Sequence, residues 1–157
     1  MKQPKRASRL VSWGLHTYWC FSRGLTLGVR GVVLDAENRV FLIRHTYVPG
    51  WHLPGGGVET GETALEALSR ELQEEACIAP DRPPELFGVY FNNRISRRDH
   101  VLVYVVRHFT VMAVKQPDRE IAEAGFFPLD RLPEGTTAAT RRRLAEILKG
   151  EAVRPTW

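Results

Sequence analysis

The sequence predicts a single α/β domain. Three observations carry that prediction. β-branched, apolar runs recur at Thr26–Leu34, Arg39–Arg44, Leu86–Phe91 and His100–Thr110; Thr63–Ala76 has the 3.6-residue periodicity of a helix; and Thr137–Lys149 reads as a second helix. A chain of 157 residues with 43% hydrophobic content suits one domain. At this size folding buries about 68–70% of the unfolded chain's surface, so no disulfide staple is needed.

Taken in order, residues 1–24 read as a basic tail followed by a short helical segment. Its aromatics Trp13, Tyr18, Trp19 and Phe21 are expected to cover the domain's own core. Thr26–Leu34 and Arg39–Arg44 read as two strands of a hairpin, joined by the turn chemistry of Asp35-Ala-Glu-Asn38. Pro49-Gly50 marks a loop, Trp51–Leu53 a short extended piece, and Pro54-Gly55-Gly56-Gly57 a sharp break. In Thr63–Ala76 the residues Ala64, Leu65, Leu68 and Leu72 form the apolar face. Pro80, Pro83 and Pro84 forbid its continuation. Two strands, Leu86–Phe91 and His100–Thr110, flank the polar loop Asn92–Asp99, and a short strand follows at Ala124–Phe127. Thr136 or Thr137 caps the last helix and Gly150 stops it. The domain then spans 25–150, with 151–157 as a C-terminal tail.

Composition excludes several classes. The longest apolar run is Val101–Val106, far short of the roughly 20 residues that span a bilayer as a helix. No period recurs, so a repeat array is not expected. Cys20 and Cys77 have neither metal-site nor disulfide-framework spacing, which favours a reducing compartment. The N-terminal apolar stretch is interrupted by Ser12, Gly14, His16 and Thr17, with no small-residue cleavage site, so a cytoplasmic location is expected. The net charge of +4 resides in Lys2, Lys5, Arg6 and Arg9; residues 10–157 carry 18 bases against 18 acids. A short charged end of this kind is a solvated tail, so no specific nucleic-acid partner is expected.

The chemistry concentrates on Thr63–Ala76. Glu71, Glu74 and Glu75 stand at i, i+3 and i+4, so their carboxylates share one helix face. A solvated acidic face is the ordinary explanation of such glutamates. Two facts oppose it. From Glu59 to Glu75 there are six acids and one base, Arg70. The cluster also sits in the last helical turns, where the macrodipole disfavours each anion by about 0.3–1 kcal/mol. A hard divalent cation would convert this repulsion into coordination. Gly55-Gly56-Gly57, ahead of the helix, allows close backbone approach to a ligand.

The segment Gly56–Ile78, GGVETGETALEALSRELQEEACI in its surroundings, resembles the Nudix box: Gly, five residues, Glu, seven residues, Arg-Glu, an aliphatic, any residue, Glu-Glu, any residue, Gly, an aliphatic. Gly56, Glu62, Arg70, Glu71, Leu72, Glu74, Glu75 and Ile78 match. Cys77 replaces the last glycine, which would cost about 1 kcal/mol or more if that position is left-handed and could shift Glu74 and Glu75. The resemblance implies a Nudix-type α/β/α sandwich with a mixed central β-sheet. It also implies a metal-dependent hydrolase that cleaves the diphosphate of a nucleoside diphosphate linked to another moiety, by water attack at phosphorus.

By the same resemblance Glu71, Glu74, Glu75 and the Gly55 carbonyl hold Mg2+ or Mn2+. Arg70 pairs with Glu74 and orients the cluster, and Gly56 and Glu62 steady the box loop. The general base is Glu71 or Glu120, the latter in PDREIAEAGFF. For substrate the candidates are Arg44, Trp51, Asn92 and Arg94, with Tyr90, Phe91, Phe127, Asn93, Arg97 and Arg98 beside them. His16, His45, His52, His100 and His108 lack ligand spacing and read as structural, with His52 near enough to the box to reach substrate. Two other functional classes stand beside the enzyme: a nucleotide-sensing module without catalysis, and an RNA-directed protein using the basic tail. An isomerase on this fold lacks the cysteine partnership it would need.

Overall fold

A computed structural model of the protein describes Tyr18, residues 24–94 and residues 96–157. In chain order the elements are β1 (Thr26–Val33), β2 (Val40–His45), β3 (Trp51–His52), α1 (Ala64–Ala76), β4 (Ile78–Pro80), β5 (Glu85–Phe91), β6 (Asp99–Val106), β7 (Phe109–Val111), β8 (Ile121–Phe127) and α2 (Ala138–Lys149). One sheet has the order β1-β6-β5 and is mixed, β1 running parallel to β6 and β5 antiparallel to it. A second, antiparallel sheet has the order β3-β2-β8, and β4 and β7 form a two-stranded ribbon.

Strand alternation explains why the sheets are covered on both sides. On β1 the residues Val29 and Val33 join one core, and Val32, with Leu34 just past the strand's end, joins the other. On β2, Phe41 and Ile43 face the first and Val40 and Leu42 the second. Helix α1 closes the first core with Ala67, Leu68, Leu72 and Ala76, while α2 closes the second with Leu144. The result is the expected α/β/α sandwich, and strands buried on both faces read as near-continuous apolar runs.

Several local expectations are corrected. β1 and β2 are not a hairpin: a lone Leu34–Val40 bridge joins them, and each strand finds its partners in a different sheet. The Asp35 carboxylate satisfies the turn by itself, accepting from the amides of Glu37 and Arg39 at 3.1 and 2.8 Å, so no ladder is required beyond it. His100–Thr110 is two strands, broken after Val106, and β8 begins at Ile121 rather than Ala124. Leu65 is 39% exposed; Ala67 and Ala76 complete the buried helix face instead. The prolines do not end α1, because Cys77 already does so and Pro80 lies inside β4.

The segment 151–157 is not a free tail. The Phe91 amide donates to the Pro155 carbonyl at 2.9 Å, and the Trp157 amide donates back to the Phe91 carbonyl at 3.0 Å. This seats the chain end on the open edge of β5. Tyr18 is 65% exposed and so does not cover the core; Trp13, Trp19, Phe21, Cys20, His16 and the basic residues Lys2–Arg9 lie outside the described residues.

Candidate active site

The site is built where the glycine turn meets the second half of α1. Helix α1 begins in a capping box: the Thr63 hydroxyl accepts from the Glu66 amide at 3.2 Å, and the Glu66 carboxylate accepts from the Thr63 amide at 2.8 Å. Ahead of it, Gly55 adopts φ 138°, and a Cβ there would lie 2.1 Å from the Val29 carbonyl oxygen. At Gly56 a Cβ would meet Glu71 Oε1 at 2.3 Å. Only glycine lets the turn press simultaneously on β1 and on the carboxylate of α1.

Arg70 is the hub of the box. Its guanidinium binds Glu62 twice, at 3.0 and 3.1 Å, Glu71 at 2.7 Å and the Gly57 carbonyl at 3.1 Å. Glu74, the expected partner, is farther away at 3.6 Å and 61% exposed. Arg70 therefore ties the loop to the helix through Glu62 and Glu71 rather than through the i+4 pair.

Glu75 is buried. One oxygen accepts from the Gly55 amide at 2.7 Å, and the other stands 3.9 Å from His45 Nε2. Burial raises its carboxyl to about 7, against the opposing pull of the Gly55 amide and of Arg30. His45 is pushed below its ordinary value, first by burial and then by the Arg30 charge, which keeps it neutral beside Glu75.

Glu71, Glu74, Glu75 and Glu120 line one cavity of about 440 Å³. The Glu120 loop is fastened on both sides. Thr46 donates its amide to the Glu120 carbonyl at 2.9 Å and its hydroxyl to the Arg119 carbonyl at 2.7 Å. Lys115 Nζ reaches the Glu74 carbonyl at 2.6 Å, and Asp118 accepts from the amides of Glu120 and Ile121. The Lys115 ammonium and these amides hold the Asp118 carboxyl down at about 2. As they are turned here, no three acidic, histidine or cysteine side chains among the described residues surround a common point closely enough to hold an ion. Arg70 draws Glu71 aside, and Glu74 faces solvent. The donor set still fits a hard cation: the candidate ligands are oxygens, the exposed Glu74 is held by no contact shorter than its 3.6 Å pair with Arg70, and buried Glu75 has the Gly55 amide and the more distant His45 as its recorded polar neighbours.

The turn, the Arg70 hub and the acidic cavity all lie within the segment that a family model matches. The model of the NUDIX domain covers residues 24–147. The chain belongs to the Nudix hydrolase family. It is 33% identical over 105 residues to an ADP-ribose pyrophosphatase of Methanocaldococcus jannaschii, an alignment spanning 65% of this chain and 62% of that protein. It is 44% identical over 57 residues to an RNA pyrophosphohydrolase of Francisella tularensis subsp. mediasiatica, spanning 36% of this chain and 37% of the relative. Among solved structures, a MutT Nudix hydrolase from Burkholderia pseudomallei superposes with a TM-score of 0.66 at 30% identity, covering 78% of this chain and 97% of that one.

Beyond the Nudix box the substrate candidates scatter. Arg44 pairs with Glu123 and lies 6.0 Å from the Trp51 ring, and it is not among the residues that line the acidic cavity. Trp51 is 8% exposed and packs edge-on against Phe127, so it serves the core. Tyr90 is fully buried, and Phe91 tilts against His100. Asn93 and Arg97 are exposed on the β5–β6 loop. Asn92 and Arg94 do line a second cavity, with His45 and His52. Sequence reasoning missed Arg30 and Trp157 in that same cavity. A lone arginine in the apolar run TLGVRGVVL was the available signal for the first; nothing local marked the second.

Proposed function

We propose that this Nudix protein is a metal-dependent pyrophosphohydrolase acting on a nucleoside diphosphate linked to a further group. The observation that carries the reading is the buried Glu75, held by the Gly55 amide, in one cavity with Glu71, Glu74 and Glu120. The names of the two relatives, an ADP-ribose pyrophosphatase and an RNA pyrophosphohydrolase, support the reaction class.

Mg2+ or Mn2+ held by Glu71, Glu74, Glu75 and the Gly55 carbonyl would supply the charge that lets an anionic diphosphate enter a carboxylate-lined cavity. Arg70 fixes Glu71 through its 2.7 Å contact, and the Gly55 amide fixes Glu75. A water oxygen attacks phosphorus, the P–O anhydride bond breaks, and the leaving phosphate departs with the bond's electron pair. The water's proton goes to a carboxylate. Glu120 suits that task, since its loop is fastened to β2 and to the end of α1 yet its carboxylate is not engaged in the Arg70 hub. Glu71 is the alternative base.

The test is product release from nucleoside triphosphates, nucleotide sugars, ADP-ribose, dinucleoside polyphosphates and a 5′-triphosphorylated RNA, with Mg2+ or Mn2+ and with EDTA. Turnover of one class that needs metal and falls by orders of magnitude in Glu74→Gln and Glu75→Gln, with folding intact, is expected. Near-wild-type rates in both variants would overturn the metal assignment, and silence across the panel would overturn the activity.

A further inference from the structure

The strap that runs from the end of β7 to the start of β8 inverts the usual rule of exposure. Residues 111–120 are all exposed but one, and that one is a lysine. Val111, Met112 and Val114 are 50%, 49% and 78% exposed, whereas only 10% of the Lys115 side chain is open to solvent. Lysine is ordinarily the outward residue, and an ammonium taken from water is tolerated only where oxygens replace its hydration. Here two do: Nζ donates to the Glu74 carbonyl at 2.6 Å and to the Asp118 carboxylate. With its apolar side chains facing water, the strap is held by polar contacts and not by burial.

Both partners of Lys115 belong to the candidate active site. Helix α1 carries no base in its own last turn, which holds Glu74 and Glu75 instead. The Cys77 amide satisfies the Leu72 and Gln73 carbonyls, and Lys115 satisfies that of Glu74. A cation delivered from the strap therefore offsets the negative end of α1 at the turn where the helix itself adds acids. Asp118 organises the loop that follows: its Oδ1 accepts from the amides of Glu120 and Ile121 at 2.9 and 2.8 Å, and its own amide donates to the Ile121 carbonyl at 2.9 Å. Thr46 ties that loop to β2 rather than to α1. A second tie between strap and helix end, from the Met112 amide to the Cys77 carbonyl at 2.9 Å, lies eight positions before Glu120. One ammonium group thus joins the turn that bears Glu74 and Glu75 to the turn that presents Glu120.

We propose that Lys115 is a positioning residue of the reaction: by holding the Glu74 carbonyl and the Asp118 carboxylate together, it fixes how far Glu120 stands from the Glu74–Glu75 turn. It acts through Asp118 and the backbone of α1, and touches neither substrate nor metal. Removing it leaves the Glu120 loop attached to β2 but no longer in register with the helix. The proposal rests on the pyrophosphohydrolase reading for its effect on rate, and on the Lys115 contacts alone for its effect on the loop.

The experiment compares the full chain with Lys115→Met, Lys115→Arg, Asp118→Asn and the Lys115→Met/Asp118→Asn double variant, on the diphosphate panel given above with Mg2+ and by amide exchange without substrate. Lys115→Met keeps the length of the side chain and loses the charge. Asp118→Asn keeps an oxygen for the Glu120 and Ile121 amides and loses the ion pair, so it tests the same link should Lys115→Met fail to fold. Each single variant is expected to lower kcat by about thirty- to a hundredfold with KM changed by less than about threefold. The double variant should fall within about twofold of either single one, because both break one connection. Lys115→Arg, which can still donate to both oxygens, should recover part of the loss. Exchange at the Glu120 and Ile121 amides should quicken about tenfold in Lys115→Met while the amides of β1 and β6 keep the wild-type rate. Wild-type kcat and wild-type exchange in both single variants of an active enzyme would overturn the proposal and leave the hydrolase reading standing, and so would additive losses in the double variant. Faster exchange at Glu120 and Ile121 in a protein that hydrolyses nothing would instead sink the catalytic reading, and with it the effect on rate, and leave the link between α1 and the loop standing.

Discussion

Glu75 carries its charge where burial makes it costly, and that single fact has a pH consequence. Its folded-state value of about 7 lies above the 4.5 of a free glutamate. Between these two values the folded chain holds a proton that the unfolded chain has lost. Glu75 therefore contributes stability at low pH that is lost as pH rises from about 4.5 through about 7, at a slope of at most about 1.4 kcal/mol per unit. A cation must displace the same proton, so binding it grows stronger across that window. The expected outcome is a larger rise in Tm on adding Mg2+ at pH 8 than at pH 6, with the difference abolished in Glu75→Gln; scanning calorimetry checks it. At the other end of the box, Cys77 sits at φ 54°, ψ 38°, with its amide bonded to the Gln73 carbonyl at 3.1 Å. The helix thus ends in the left-handed form a glycine would adopt, and Glu74 and Glu75 stay on the last turn. Cys77→Gly should stabilise the fold by about 0.5–1 kcal/mol, less than the full left-handed penalty because glycine also frees the unfolded chain. Urea titration measures it, and turnover should be unchanged.

At the scale of elements, the Nudix loop and α1 behave as one unit. Arg70 clamps Glu62, Glu71 and the Gly57 carbonyl together, and Gly56 lies under Glu71. Gly56→Ala would drive a methyl into a carboxylate that Arg70 holds in place. Turnover is expected to fall by about a hundredfold, consistent with misplacing a reacting group by about an ångström, while the far-UV circular dichroism spectrum stays that of wild type. Periodicity made α1 legible, because its apolar stripe is a local signal; its Thr63–Glu66 capping box came only with the structure. The β1–β2 pair was not legible in the same way. The Asp35 turn is present as read, but whether two strands joined by a turn pair with each other depends on competing partners. Here β6 takes β1 and β8 takes β2.

Across the whole molecule, the chain end is tied to the core through a buried ion pair. Arg143 is 0% exposed and Glu146 is 5% exposed; the pair meets at 2.7 Å, the Glu146 carboxylate also accepts from the Tyr90 hydroxyl at 2.9 Å and from the Arg154 amide at 3.1 Å, and the Arg143 guanidinium lies 3.8 Å from the Tyr90 ring. Glu146→Ala strands a buried guanidinium and should destabilise the fold by about 3–5 kcal/mol. The same variant should loosen residues 151–157, seen as faster amide exchange at Phe91 and Trp157. What the sequence by itself determined was the α/β class, the two helices, the glycine turn and the glutamate face, because each rests on spacings a few residues long. What only the tertiary structure decided was which strands pair, that Trp51 and Tyr90 serve the core, and that Arg30, Asn92 and Trp157 share one cavity. Asn92 is 62 positions from Arg30 and 65 from Trp157, and only the packing of β1, β5 and the C-terminal segment brings the three together.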